Sequence, residues 1–120
     1  MSARTYWKTE SLGDGGYSEE ARTRITREEA HDRVCFGAPA LVSSLCEDGL
    51  HRPAIDVDLP CRLVESRTPG HYHLYIDQPM RWWRYRLLLR ALVLAGVVER
   101  GYYKASVRRR QTHLRLAPRE

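Results

Sequence analysis

Apolar and polar residues alternate in two stretches, Ile55-Asp56-Val57-Asp58-Leu59 and His71-Tyr72-His73-Leu74-Tyr75-Ile76-Asp77. Period two is the mark of a strand with one buried face and one polar face. The first stretch, bounded by Pro53 and Pro60, sets Ile55, Val57 and Leu59 against Asp56 and Asp58. The second sets Tyr72, Leu74 and Ile76 against His71, His73, Tyr75 and Asp77. Matched in one sheet, the two strands place two carboxylates and two imidazoles on a single patch. Further strands are expected over Ala40 to Cys46, ended by the turn Glu47-Asp48-Gly49, and over Arg62 to Glu65, followed by a loop from Ser66 to Gly70.

Helical signals bracket these strands. Thr26-Arg27-Glu28-Glu29 has the form of a capping box, so a helix should run to about Cys35 with Gly37 beyond it, packing by Ala30, Val34 and Phe36. Ser18-Glu19-Glu20-Ala21 can start a shorter one. The longest helix is MRWWRYRLLLRALVLAG, with Pro79 in its first turn, Asp77 as cap and Gly96 as its stop. Its spacing turns Tyr85, Leu88, Leu89, Leu92 and Ala95 toward a sheet and leaves Arg81, Arg84 and Arg90 outside. Trp82 and Trp83 should anchor its N-terminus. Two short strands, around Tyr103 to Arg108 and His113 to Leu116, complete the pattern. Residues 1–17, with SLGDGGY and few apolar positions, read as a flexible arm, and residues 18–120 as a single domain. The fold class is α+β: a mostly antiparallel sheet with a long helix packed on one face.

Composition changes this picture in three ways. A chain of 120 residues with 42% apolar content can bury one core. No apolar run reaches the roughly 18 residues of a membrane span, and the N-terminus lacks a signal-peptide layout, so a cytoplasmic protein without a membrane partner is expected. Cys35, Cys46 and Cys61 form no CxxC pair and are expected to be reduced and buried. The net charge of +5 is unevenly spread: residues 1–80 hold 9 Lys/Arg and 13 Asp/Glu, whereas residues 81–120 hold 11 and 2. That asymmetry points to a polyanion partner for the C-terminal third.

The polar rows suggest chemistry. Asp-x-Asp on a strand separates the two Cα atoms by about 7 Å, which lets both carboxylates reach one Mg²⁺ or Mn²⁺. His71-x-His73 can ligate a transition metal or, when protonated, hold a phosphate. Lys104, Arg108, Arg109, Arg110 and Arg115, interspersed with Tyr102, Tyr103 and His113, combine phosphate partners with stacking surfaces.

Taken together, a strand reading hhDhD, a turn and GHYHLYI, a helix ending in AGV and an LRL strand with basic flanks resemble the archaeo-eukaryotic primase superfamily, the primase-polymerases. From Pro69 to Leu116 the chain also looks like the small primase-polymerase-like proteins of actinobacteria and their phages. The resemblance implies a reduced primase-polymerase-like core in which Asp56 and Asp58 hold the catalytic metals, Mg²⁺ or Mn²⁺. His73 would complete the catalytic set and contact nucleotide phosphates with His71, Arg108 and Arg115. The family's third acid, on the strand after the helix, has no clear counterpart in Arg100-Gly101-Tyr102-Tyr103-Lys104, where Glu99 is the nearest carboxylate. The expected function is therefore binding of nucleic acid or a nucleoside triphosphate, with metal-dependent nucleotidyl transfer left open. Two alternatives stand beside it: an inactive phage-type accessory protein that binds a host protein or self-associates, and a small metal enzyme using the His/Asp face.

Overall fold

The computed structural model describes residues 2–9 and 22–118. They form β1 (Arg4–Thr9), β2 (Arg22–Ile25), α1 (Arg27–Cys35), β3 (Leu41–Cys46), β4 (Cys61–Glu65), β5 (Tyr72–Ile76), α2 (Trp82–Leu94) and α3 (Arg100–Arg109). Every strand pairing is antiparallel, so the class is α+β. The strands make two sheets, β2-β1-β3 and the ribbon β4-β5. The chain divides accordingly into two compact units, Met1–Asp56 and Val57–Glu120.

In the first unit the central strand is β1, formed by residues expected in an irregular arm. Its inward row is Thr5, Trp7 and Thr9, with Thr5 and Thr9 buried. Those β-branched and aromatic residues favour a strand, yet the row is too polar to register as an apolar stripe. The Thr5 hydroxyl donates to the Leu45 carbonyl at 2.9 Å and accepts from Trp7 Nε1 at 2.9 Å, which lets a polar side chain occupy a core position. Residues 10–17 of the expected arm, and the helix expected from Ser18, lie outside the described residues.

Helix α1 begins where its capping box predicts. The Glu29 N–H donates to Thr26 Oγ1 at 3.1 Å, and the Thr26 hydroxyl bonds Glu29 Oε1 at 3.2 Å. It packs on β1 through Ala30, which is buried, whereas Val34 and Phe36 are 60% and 90% exposed, contrary to expectation. Nine residues laid over one strand have room for a narrow contact stripe. Beside Ala30 that stripe is filled by half-buried Arg33, whose Nε donates to the Pro39 carbonyl at 3.1 Å.

The strand expected between Pro53 and Pro60 does not form. After the turn at Glu47–Gly49 the chain runs back along β3, and the Arg52 N–H donates to the Ser44 carbonyl at 2.9 Å. Pro53 has no N–H to continue the ladder, and residues 52–57 have no regular structure. Asp58 and Leu59 lie in a bend.

In the second unit, β4 and β5 pair with Arg62 opposite Tyr75 and Val64 opposite His73. Helix α2 starts at Trp82, later than expected. Its N-cap is Arg81, without a side-chain bond, and Asp77, the expected cap, lies before it in an ion pair with Arg62 at 3.5 Å. Leu89 is buried, Tyr85, Leu88 and Leu92 are half-buried and Ala95 is exposed. The helix ends as expected at Gly96 (φ 77°): Gly96 N–H bonds the Val93 carbonyl at 3.0 Å and Val97 N–H bonds the Leu92 carbonyl at 2.8 Å, a Schellman motif.

The strand expected around Tyr103 to Arg108 is helix α3, which packs on α2. Val98, Tyr102, Ala105, Ser106 and Arg109 follow helical spacing, and the first four of these are half-buried or buried. The second expected strand, His113 to Leu116, has no regular structure. It follows a left-handed turn at Arg110 (φ 59°), and Tyr85 and Thr112 join hydroxyls at 2.7 Å. Of the cysteines, Cys46 is buried, but Cys35 and Cys61 are exposed; all three are free thiols. No helix among the described residues is long and apolar enough to cross a membrane.

Candidate nucleic-acid interface

The acidic and histidine positions come first. Asp56 and Asp58 are exposed, and neither is in an ion pair among the described residues. Asp56 ends the first unit and Asp58 belongs to the second. Without a strand between Pro53 and Pro60, the spacing expected of two ladder-held carboxylates is lost. His71 is exposed just before β5, its N–H bonded to the Thr68 carbonyl at 3.1 Å and its carbonyl to the Ser66 N–H at 3.0 Å. His73 is half-buried on β5, opposite Val64.

The middle of this ribbon departs from the alternation pattern. Tyr72 and Leu74, expected inside, are 58% and 54% exposed, Ile76 of the same row is half-buried, and Leu63 on β4 is 65% exposed. The His73 and Tyr75 row is the more covered one, and the Arg62 guanidinium lies 4.2 Å over the Tyr75 ring. Arg62 also pairs with Asp77, so a residue expected on the metal face is turned to a cation on its own strand pair. Among the described residues no three of His, Cys, Asp or Glu come together as a metal-holding group. Two exposed carboxylates on an unladdered segment do not by themselves define an ion's geometry.

The basic positions are different. Lys104 and Arg108 stand one turn apart on the exposed side of α3, with Arg100 one turn before them. Arg108 and Arg109 occupy the helix's last turn, where cations complement the carbonyl dipoles, and Arg110 is its left-handed cap. Arg115 is exposed in the following irregular segment. Helix α2 adds Arg84, Arg86 and Arg90, with Arg81 as its cap. From residue 78 to residue 118 there are ten Lys and Arg and a single carboxylate, Glu99. All ten cations are exposed, and none is in an ion pair among the described residues.

Sequence reasoning did not single out a groove of about 290 Å³ on this helix pair, lined by Trp83, Arg86, Leu87, Arg90 and Tyr103. The two neighbouring tryptophans differ in kind. Trp82 is half-buried and meets Tyr85 edge-on, with ring centroids 5.7 Å apart, which is the anchoring role expected of both. Trp83 is 57% exposed with the Arg84 guanidinium 5.4 Å from its ring. The available signal was the spacing 83, 86, 87, 90, a second helical stripe opposite the core stripe.

Two further cavities complete the surface. One of about 490 Å³ is walled by Leu74, Ile76, Met80, Leu88 and Leu114, with the Tyr85 and Thr112 hydroxyls at its edge. The Tyr102 phenol is shifted up from the ordinary value, chiefly by burial, with Thr112 and Arg109 opposing and Tyr85 reinforcing the rise. The other, of about 780 Å³ in the first unit, mixes Arg4, Arg24, Arg27 and Arg52 with Glu28, Glu29 and Glu47. There Arg24 pairs with Glu47 at 3.4 Å and Arg4 donates to the Arg52 and Pro53 carbonyls, and the lining charges are of both signs. None of the three cavities is lined by Asp56, Asp58, His71 or His73. No family model matches the chain, and no curated protein or solved structure matches it either.

Proposed function

We propose that the chain binds nucleic acid through the cationic surface of α2, α3 and the segment that follows them. The observation that carries this reading is the ratio of ten exposed cations, none in an ion pair among the described residues, to one carboxylate between residues 78 and 118. Surface charges in folded proteins are ordinarily interspersed in sign, because like charges repel and destabilise the compact state. A single-sign surface gains most from a polyanion, whose condensed counterions are released on binding. Nine of the ten cations are arginines, whose guanidinium forks suit phosphate oxygens. The left-handed Arg110 fits the same reading, since a conformation that favours glycine is kept by a cation at the end of the basic helix. Fluorescence anisotropy with labelled oligonucleotides over a salt series tests it. Binding that weakens linearly in log-log form with added salt supports the proposal, and absence of salt-sensitive binding refutes it.

A second reading has its own observation. The β4-β5 ribbon leaves two strand edges unpaired among the described residues and exposes Leu63, Tyr72 and Leu74, a surface suited to self-association. Sedimentation velocity with Leu74→Lys beside the unmodified chain tests it: dissociation to monomer in the variant supports it, and a monomer in both sinks it. Metal-dependent nucleotidyl transfer, the activity implied by resemblance to primase-polymerases, rests on Asp56, Asp58 and His73 alone. Primer extension with Mn²⁺ that is lost in Asp56→Ala would establish it.

A further inference from the structure

We infer that the groove between α2 and α3 seats an unpaired base of single-stranded nucleic acid, with Trp83 and Tyr103 stacking on the base and Arg86 and Arg90 holding flanking phosphates. The inference rests on the phosphate-binding reading above and narrows it to one class of strand.

The residues lining the groove are Trp83, Arg86, Leu87, Arg90 and Tyr103. The four from α2 recur at i, i+3, i+4 and i+7, so they share one face and span about 10 Å of helix. On that face Trp83 and Leu87 are 57% and 59% exposed, although arginines surround them. Packing gives Trp83 no reason to be there, because anchoring of the helix start is supplied by Trp82 against Tyr85. Its ring does have one partner: the Arg84 guanidinium, 5.4 Å away, forms a cation–π contact to which a planar base adds a second layer. Tyr103, half-buried on α3, supplies the opposite wall.

Stacking surface beside phosphate partners separates the two forms of nucleic acid. In a duplex each base face is already covered by its neighbours, and a protein meets phosphates and groove edges. In a single strand each nucleotide can offer a π-face together with its charge, and aromatic residues in a cationic groove are the recurring solution. An acidic peptide would satisfy Arg86 and Arg90 but leave the indole without a matched partner.

The test uses the full chain and its Trp83→Ala, Trp83→Phe and Arg86→Ala/Arg90→Ala variants, with anisotropy on labelled oligothymidylate, oligouridylate and a duplex of equal length. Poly-glutamate serves as competitor. Circular dichroism confirms that each variant folds, which the exposure of these side chains favours. The expected result is tighter binding of a single strand than of the duplex and a loss of roughly five- to 150-fold for single strands in Trp83→Ala. Trp83→Phe should restore part of that loss, and duplex affinity should be unchanged by either substitution. If salt-sensitive binding persists but Trp83→Ala weakens single strand and duplex alike, or neither, the groove inference fails and the phosphate-binding reading survives. Displacement of oligothymidylate by poly-glutamate at equal charge concentration also overturns the groove inference. Failure of all three nucleic acids to bind overturns both readings together.

Discussion

Lys104 and Arg108 give the sharpest quantitative consequence of the cationic helix pair. They lie one helical turn apart, about 6 Å along the axis of α3, and both are exposed. Each phosphate neutralised by a protein cation contributes about 0.7 to the slope of log affinity against log salt for a single strand, and about 0.9 for duplex DNA. Replacing both by alanine should therefore lower the single-strand slope by about 1.4. Relative to 1 M salt, where this term vanishes, a slope change of that size is a loss of about 25-fold in affinity at 0.1 M. The fold should tolerate the change, since alanine is the stronger helix former and neither side chain is in an ion pair. The expected stability cost is the last-turn dipole interaction of Arg108, about 0.3 to 1 kcal/mol. The assay is anisotropy of labelled oligothymidylate at several salt concentrations, with urea unfolding as the control. A double variant whose slope equals that of the unmodified chain would show that phosphates do not meet this face of α3, whatever happened to the affinity at one salt concentration.

Other consequences concern the ends of the helices, the buried phenol and the acidic segment. Helices α2 and α3 end in the same hydrogen-bond pattern, with Gly96 and Arg110 in the left-handed position. Gly96→Ala should then cost about 1 kcal/mol in urea unfolding and Arg110→Gly should gain up to about 1 kcal/mol; a gain in the first or a loss in the second contradicts the assigned geometry. Tyr102 has its folded pKa raised, so the folded state retains the proton longer than the unfolded chain. Its contribution to stability is full below the unfolded value near 10 and falls as pH rises through the folded value. Melting temperature measured from neutral to strongly alkaline pH should thus fall less steeply in Tyr102→Phe, and identical alkaline limbs would contradict the burial. Asp56→Ala and Asp58→Ala should each change stability by less than about 0.5 kcal/mol, because both side chains are exposed and unpaired; a larger drop in urea unfolding would reveal a structural role for that segment.

Local signals written in a few adjacent residues were legible. The capping box at Thr26, the turn at Gly49, the stop at Gly96 and the strands β3, β4 and β5 each follow from a short-range rule and stand close to where that rule places them. Signals that depend on distant partners were not. Strand β1 is anchored by Thr5, whose burial becomes tolerable through a carbonyl of Leu45, forty positions away. Tyr102, Tyr103 and Val107 favour strands by propensity, yet no strand among the described residues pairs with their segment. Packing against α2 decides in favour of helix, where Tyr102 and Ser106 fall on one side.

The candidate site divides along the same line. Asp56 and Asp58 were read from alternation, and alternation specifies a strand when a neighbour supplies hydrogen-bond partners; Pro53 ends that supply. His73 lies on β5 and His71 just before it, but the more covered face is the one where Arg62 lies over Tyr75, a cross-strand contact whose register the alternation pattern does not determine. The cations survive this translation because charge balance does not depend on secondary structure. The pattern expects Arg108 and Lys104 around a strand and they stand on a helix, where both are exposed and neither is in an ion pair among the described residues. What the change of element adds is a spacing. On a strand Lys104 and Arg108 would share a face about 13 Å apart, whereas the helix sets them about 6 Å apart in one row with Arg100; the row of Trp83, Arg86 and Arg90 is on α2. The helix pair then carries two ordered rows of cations, one of them with an exposed indole, and on the reading proposed above that order is what would let the surface distinguish an unpaired strand from a duplex.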